Sequence, residues 1–241
     1  MTPRHGLNVA MLARAWAVSC HRLGDKLDPL TLAALVHDLG HWRPEDLLFV
    51  FEYFTVDEFR RMQAHAYVAL DEMPLSDQAR VWVAQHHEQV DGKGYPDGIT
   101  DPHPLAQLLR ICDCYDGLTT PRRFRPAYTG HRAMTILSRW AGYKFSEGLF
   151  QSFFEFMGGI HPAGSIVRLR SGAMALVLPP HEGAPSVVAV TNEQGDAISD
   201  AEPVPLSDAD IVDEGQQWQQ VALPDLWRNL RPDLLNLPRY Y

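Results

Sequence analysis

A chain of 241 residues, 46% of them hydrophobic, can bury one substantial core and a small second one. Its formal net charge of −9 argues against broad coating of DNA, although a local basic cluster could still take a small anion. No run approaches the ~20 apolar residues needed to cross a bilayer, and Met1-Thr2-Pro3-Arg4 does not resemble a secretory leader, so a cytoplasmic protein that makes no use of a membrane is expected.

From about His5 to Gly24 the apolar spacing is helical, and Asp28-Pro29 predicts the start of a second helix that carries His37-Asp38. Another segment begins after Pro44. Thr55-Val56-Asp57-Glu58 has the form of a capping box and leads into a helix containing His65. Ser76 to Val90 is predicted helical, the loop Asp91–Pro104 is punctuated by glycine and proline, and Leu105–Leu118 resumes a mostly apolar helix. Arg132–Phe156 predicts one or two more.

The pattern changes at Gly158-Gly159. Ser165–Arg170 alternates with period two, Ala173–Leu178 is a short apolar run, and Ser186–Val190 is β-branched and followed by a turn at Asn192–Asp196. The expected organisation is therefore an all-α domain over 1–160, a small antiparallel β subdomain over 161–206, and a tail over 207–241. In the tail, Trp218, Leu226, Trp227 and Leu230 are spaced as helical anchors that would pack on the body. Residues 1–160 hold 16 Lys and Arg against 19 Asp and Glu, and residues 161–241 hold 5 against 11, which assigns any phosphate-holding equipment to the helical part.

Three cysteines, Cys20, Cys112 and Cys114, are too few for a disulfide scaffold and are expected to be reduced and buried. The histidines carry more information. A lone histidine on an apolar face is more often a satisfied core group than a ligand, but here the order matters. His5, His37-Asp38, His65, His86-His87 and Asp113 fall on separate predicted helices, and helical bundles bring such positions together in their cores. An unpaired Asp38 in the apolar run Leu35–Leu39 would be costly to bury, and a metal would relieve that cost. Adjacent helical residues diverge by about 100°, so His86 and His87 suit a metal cluster better than one packed face. The loop Asp91-Gly92-Lys93-Gly94-Tyr95-Pro96 adds glycines and a cation beside them.

This set of residues resembles the HD-GYP domains, a branch of the HD metal-dependent phosphohydrolases that acts on cyclic dinucleotides. His5 resembles the family's leading His, His37-Asp38 its His-Asp pair, His65 its next lone His and His86-His87 its double His. Asp91–Pro96 resembles its glycine loop, Asp113 its last Asp, and Arg122, Arg123 and Arg125 its following basic run; the likeness covers roughly residues 5–130. It implies a mainly α, HD-type helical bundle. It also implies two divalent metals, one held by His5, His37, Asp38 and Asp113 and the other by Asp38, His65, His86 and His87, with Asp38 bridging. Imidazoles with carboxylates suit iron, manganese or zinc better than calcium or magnesium, and the resemblance favours iron or manganese. Trimetal members carry a Glu one helical turn before the leading His; Met1 stands there here, which favours two metals.

The activity implied is metal-dependent hydrolysis of cyclic di-GMP to the linear dinucleotide pGpG, with further cleavage to GMP left open. Asp38 and His37 are the candidate catalytic groups, and Lys93, Arg122, Arg125 and His41 the candidate substrate contacts. Gly94 with Gly92 would allow close backbone approach, and Tyr95 would either stack on a base or pack the loop. Asp116 is open between orienting a ligand and a plain salt bridge. The chain departs from the family at His41, where Lys usually follows His-Asp-x-Gly. A neutral imidazole lacks the fixed charge of Lys, which brings two other readings into view: a catalytically weak nucleotide- or partner-binding module, and hydrolysis of another cyclic dinucleotide such as cyclic GMP-AMP. Homodimerisation through the C-terminal sheet and docking of a signalling partner protein both remain compatible with the sequence.

Overall fold

The computed structural model describes residues 3–20, 23–42, 55–67, 73–121, 125–181, 184–198, 201–206 and 211–213. The predicted mainly α architecture with a small C-terminal sheet is observed. Among the described residues the helices are α1 (Pro3–Ser19), α2 (Leu27–Val36), α3 (Val56–Gln63), α4 (Asp77–Gln85), α5 (Pro104–Thr119), α6 (Gly130–Trp140) and α7 (Glu147–Phe156). The chain divides into two compact units, Met1–Thr120 with Leu137–Phe153 and Pro121–Ile136 with Phe154–Tyr241.

In the first unit α5 is the hub. Leu105, Ala106, Leu108, Leu109, Ile111 and Cys112 are all buried, so the helix is enclosed on most sides, as an all-round apolar helix must be. Pro104 opens it at a position that lacks an intrahelical partner for its N–H, and the His103 side chain accepts from Leu105 N at 3.0 Å. Against α5 pack α1, whose Val9, Ala13 and Trp16 are buried, and α4, whose Ala79, Trp82 and Val83 are buried. The Trp16 ring meets Phe153 edge-on at 5.0 Å and its indole N–H donates to Ser152 Oγ at 3.2 Å.

The capping box forms as predicted: Thr55 N donates to Glu58 Oε2 at 2.7 Å and Glu58 N to Thr55 Oγ1 at 3.3 Å. Ser76 caps α4, accepting from Ala79 N at 3.2 Å. This helix is shorter than the sequence suggested, however, and ends at Gln85 rather than Val90.

The second unit contains a five-stranded antiparallel sheet in the order β4-β3-β2-β1-β5. The strands are β1 (Ile166–Leu169), β2 (Met174–His181), β3 (Ala184–Ala189), β4 (Val204–Pro205) and β5 (Ile211–Asp213). Val167 pairs with Ala175, and Val177 with Val187. The period-two pattern sorts Met174, Leu176, Leu178 and Val188 to one buried face, and Val167, Ala175, Val177 and Val187 to the other. The turn expected at Asn192–Asp196 is present, with Asn192 Oδ1 accepting from Gln194 N and Asp196 N. Ile211–Asp213, within the stretch expected as tail, pairs with β1 as an edge strand. Trp218, Leu226, Trp227 and Leu230 lie outside the described residues.

Candidate metal centre

The histidines reach a common point because several sit where helices stop. His37 is the C-cap of α2 and His86 the C-cap of α4. At a helix C-terminus the last carbonyls lack intrahelical partners. His37 Nδ1 meets Ala34 O at 2.7 Å and His86 Nδ1 meets Val83 O at 2.5 Å. A carbonyl can only accept, so Nδ1 carries the proton and Nε2 is the free ligand nitrogen in the neutral ring. His65 lies in the short 3-10 turn Ala64–Ala66 that follows α3, whereas His5 and Asp113 are carried inside α1 and α5. Gly40, in the turn after Asp38, makes this convergence sterically feasible: a Cβ there would lie 2.0 Å from His65 O.

The expectation that His86 and His87 diverge needs correction. Because α4 ends before them, both rings turn to the same side, with centroids 3.9 Å apart. Two groups of ligand atoms result, His5, His37, Asp38 and Asp113 in one and Asp38, His65, His86 and His87 in the other, each within 4.8 Å of one another. These are the seven residues singled out in the sequence.

Asp38 stands between the groups. Its Oδ2 lies 3.1 Å from His37 Nε2 and 3.5 Å from His5 Nε2, while its Oδ1 lies 3.4 Å from His65 Nε2 and 3.6 Å from His86 Nε2. Asp113 Oδ1 completes the first group at 3.0 Å from His5 Nε2 and 4.0 Å from His37 Nε2. The Nε2 atoms of His86 and His87 are buried without a hydrogen bond, an arrangement that a bound cation would satisfy, and those of His5 and His37 are buried against oxygens of Asp113 and Asp38. The residues therefore fit two divalent metals, with two imidazoles and two carboxylates at one site and three imidazoles and the shared carboxylate at the other.

The two groups differ in their affinity for protons. Burial by itself would lower the His5 pKa, but Asp113, Asp116 and Asp38 outweigh it and raise His5 to about 11. Burial likewise opposes charge on His37, and the Asp38 and Asp113 carboxylates reverse the effect. Burial pushes Asp113 up, yet its hydrogen bond to His5 brings it below the ordinary carboxylate value. In the second group three imidazoles share one carboxylate. Burial and mutual repulsion then lower His86, and lower His87 strongly, which leaves neutral rings ready to ligate.

Asp116, left open by the sequence, orients His5. Its Oδ2 accepts from His5 Nδ1 at 2.5 Å, and its Oδ1 accepts from Asn8 Nδ2 at 2.8 Å and Thr120 Oγ1 at 3.2 Å. A carboxylate behind a ligating imidazole fixes its tautomer and raises its basicity. Asn8 was missed, although its position three residues after His5 on one helix was an available signal. Arg110 was also missed; it lies three residues before Asp113 on α5, is 7% exposed, and donates through Nη1 to His86 O at 3.4 Å.

The glycine loop is built around Glu88. This buried carboxylate accepts from Asp97 N at 2.6 Å and Gly98 N at 3.1 Å, which gives it a structural role. Tyr67 OH also donates to Asp97. Packing requires Gly94: a Cβ there would lie 2.3 Å from Gln89 N and 2.4 Å from Glu88 Cα. Tyr95 sits beside the second group, its ring 4.5 Å from that of His87. Burial and the nearby Asp38 and Asp113 carboxylates push its phenol pKa up. Lys93 is exposed, with Nζ 3.3 Å from Asp91 Oδ2. Arg125 belongs to the second unit, where its guanidinium lies 4.0 Å over the Tyr128 ring and donates to Pro126 O. The His41 side chain, Arg122 and Arg123 lie outside the described residues. The three cysteines are free thiols, but only Cys112 is buried, Cys20 and Cys114 being half-buried; burial raises Cys112 well above its ordinary value and Cys114 to about 12.

Residues 4–147 match the family described as the HD domain. The chain belongs to the HD domain family. Across 165 residues it is 33% identical to a cyclic di-GMP phosphodiesterase of Pseudomonas aeruginosa, covering 64% of this chain and 39% of that protein. It is 30% identical over 124 residues to a cyclic di-GMP phosphodiesterase response regulator of Xanthomonas campestris, covering 48% and 33%. Against a 3'3'-cGAMP-specific phosphodiesterase of Vibrio cholerae it is 27% identical over 142 residues, covering 56% and 33%. This HD domain chain thus spans less than half the length of each of these relatives. A solved structure, an HDG"Y"P protein from Bdellovibrio bacteriovorus, aligns with a TM-score of 0.49 at 23% identity, covering 62% of this chain and 50% of that one. No described helix is long and apolar enough to cross a membrane.

Proposed function

We propose that the chain is a metal-dependent cyclic di-GMP phosphodiesterase that opens the cyclic dinucleotide to linear pGpG. The observation that carries the reading is the division of Asp38, one oxygen toward His5 and His37 and the other toward His65 and His86. Two divalent transition metals, iron or manganese by the donor set and the family resemblance, would supply Lewis-acid polarisation of the phosphoryl group and an activated water when bound.

The remaining contributions belong to the chain. His5, His37 and Asp113 with Asp38 would hold one ion, and His65, His86 and His87 with Asp38 the other. Asp116, Ala34 O and Val83 O keep the imidazoles of His5, His37 and His86 in the tautomer that presents Nε2. Preorganised in this way, the ligands need little reorganisation during reaction. Tyr95 borders the second group, where it can exclude water or stack on a base. The matches to cyclic di-GMP and 3'3'-cGAMP phosphodiesterases support a cyclic dinucleotide as substrate, and a cytoplasmic setting belongs to the same proposal. His41, Lys93, Arg122 and Arg125 remain the proposed outer contacts for phosphate.

Turnover by the manganese- or anaerobically iron-loaded chain, with cyclic di-GMP and cyclic GMP-AMP compared side by side, tests the proposal. Faster turnover of cyclic di-GMP, with linear pGpG formed, supports it. A preference for cyclic GMP-AMP would reassign the substrate, and no product from either would leave a binding module.

A further inference from the structure

Arg110 is the described cation whose setting the metal ligands do not explain. It is 7% exposed, on the same face of α5 as Asp113 one turn later. Its Nη1 donates to His86 O at 3.4 Å, and its Nε is buried without a hydrogen-bond partner. No described carboxylate forms an ion pair with it. Buried guanidinium groups are ordinarily paired, because an unpaired buried charge is costly and the planar fork matches carboxylate or phosphate.

Its neighbours explain why no internal acid is used. The His86 carbonyl that it contacts belongs to a run of rings, with His87 3.9 Å from His86 and Tyr95 4.5 Å from His87, which puts the guanidinium behind the second group of ligands. Lys144 is a second cation in this region, held 3.6 Å over the Trp140 ring. A carboxylate placed here would compete with Asp38 for an ion, whereas a phosphate that arrives with the substrate would not.

We propose that Arg110 is an anion-binding residue that receives a phosphate oxygen of the substrate beside His86, His87 and Tyr95. This rests on the phosphodiesterase reading for the identity of the substrate, though not for the anion site itself.

The test is calorimetric titration of inorganic phosphate into the manganese-loaded full chain, with metal content measured on the same samples, for the wild type, Arg110→Gln and Arg110→Lys. The expected result is unchanged manganese in both variants, phosphate affinity lowered about tenfold or more in Arg110→Gln, and a smaller loss in Arg110→Lys, which keeps the charge without the fork. Unchanged phosphate affinity in a fully loaded Arg110→Gln, or no binding by the wild type, overturns the proposal. So does loss of manganese from both variants, which would make Arg110 a fastener of the His86 turn. If only Arg110→Gln loses manganese, Arg110→Lys decides: weaker phosphate binding at full loading supports the proposal and unchanged binding overturns it. A wild type that binds phosphate through Arg110 yet leaves cyclic di-GMP intact refutes the proposed function and leaves the anion site standing.

Discussion

Replacing Asp116 with Ala tests how the first group of ligands is held. The side chain makes three hydrogen bonds, to His5 Nδ1 at 2.5 Å, Asn8 Nδ2 at 2.8 Å and Thr120 Oγ1 at 3.2 Å, and only the first acts directly on a proposed ligand. Removing the carboxylate behind a ligating imidazole typically costs 10–100-fold in metal affinity, about 1.4–2.7 kcal/mol. A second effect opposes this one. In the metal-free chain His5 is held protonated, with its pKa at about 11, partly by Asp116, so the variant has a weaker proton to displace. At neutral pH the net loss should therefore lie near the lower end, about tenfold. It should fall on one ion only, because His65, His86 and His87 do not depend on Asp116. Competition with a chelator of known affinity, resolving two binding steps, measures it. Two unchanged affinities in a folded Asp116→Ala chain would refute the orienting role, and equal weakening of both would show general damage to the fold.

Metal binding to the first group should release at least one proton near pH 7.5, because His5 must lose its proton to ligate; calorimetry in buffers of different ionisation enthalpy reads this directly. In the metal-free chain the raised His5 pKa contributes stability that is fully present below about pH 6.5 and lost as pH rises toward about 11, so melting temperature should fall across that window. Glu88→Gln replaces a carboxylate that accepts two backbone N–H bonds and should cost about 1–3 kcal/mol, seen as a drop of a few degrees in Tm. Gly94→Ala would bring a Cβ within 2.4 Å of two backbone atoms and should destabilise by about 1–3 kcal/mol or more, whereas the same change at the unobstructed Gly148 should behave as a surface substitution.

The ligand residues were legible because their chemistry conflicts with their surroundings. His37-Asp38 interrupts an apolar helical run, and His86-His87 precedes a glycine-rich loop, so local pattern and burial disagree in a way that metal binding resolves. Helix ends were less legible. Periodicity carried α4 through to Val90, but the turn that brings both imidazoles to one side depends on Gly94 and the Glu88 carboxylate packing the following loop. The purposes of Asp116 and Arg110 depend on contacts across more than 100 and 24 residues of chain, respectively, which no local window contains.

The most direct test of the account is manganese stoichiometry measured together with cyclic di-GMP turnover in the wild type and Asp38→Ala. A carboxylate shared by two ions predicts about two manganese per wild-type chain with pGpG formation, and loss of both turnover and more than one equivalent's worth of tight binding in the variant. Full metal content and undiminished turnover in Asp38→Ala would contradict it.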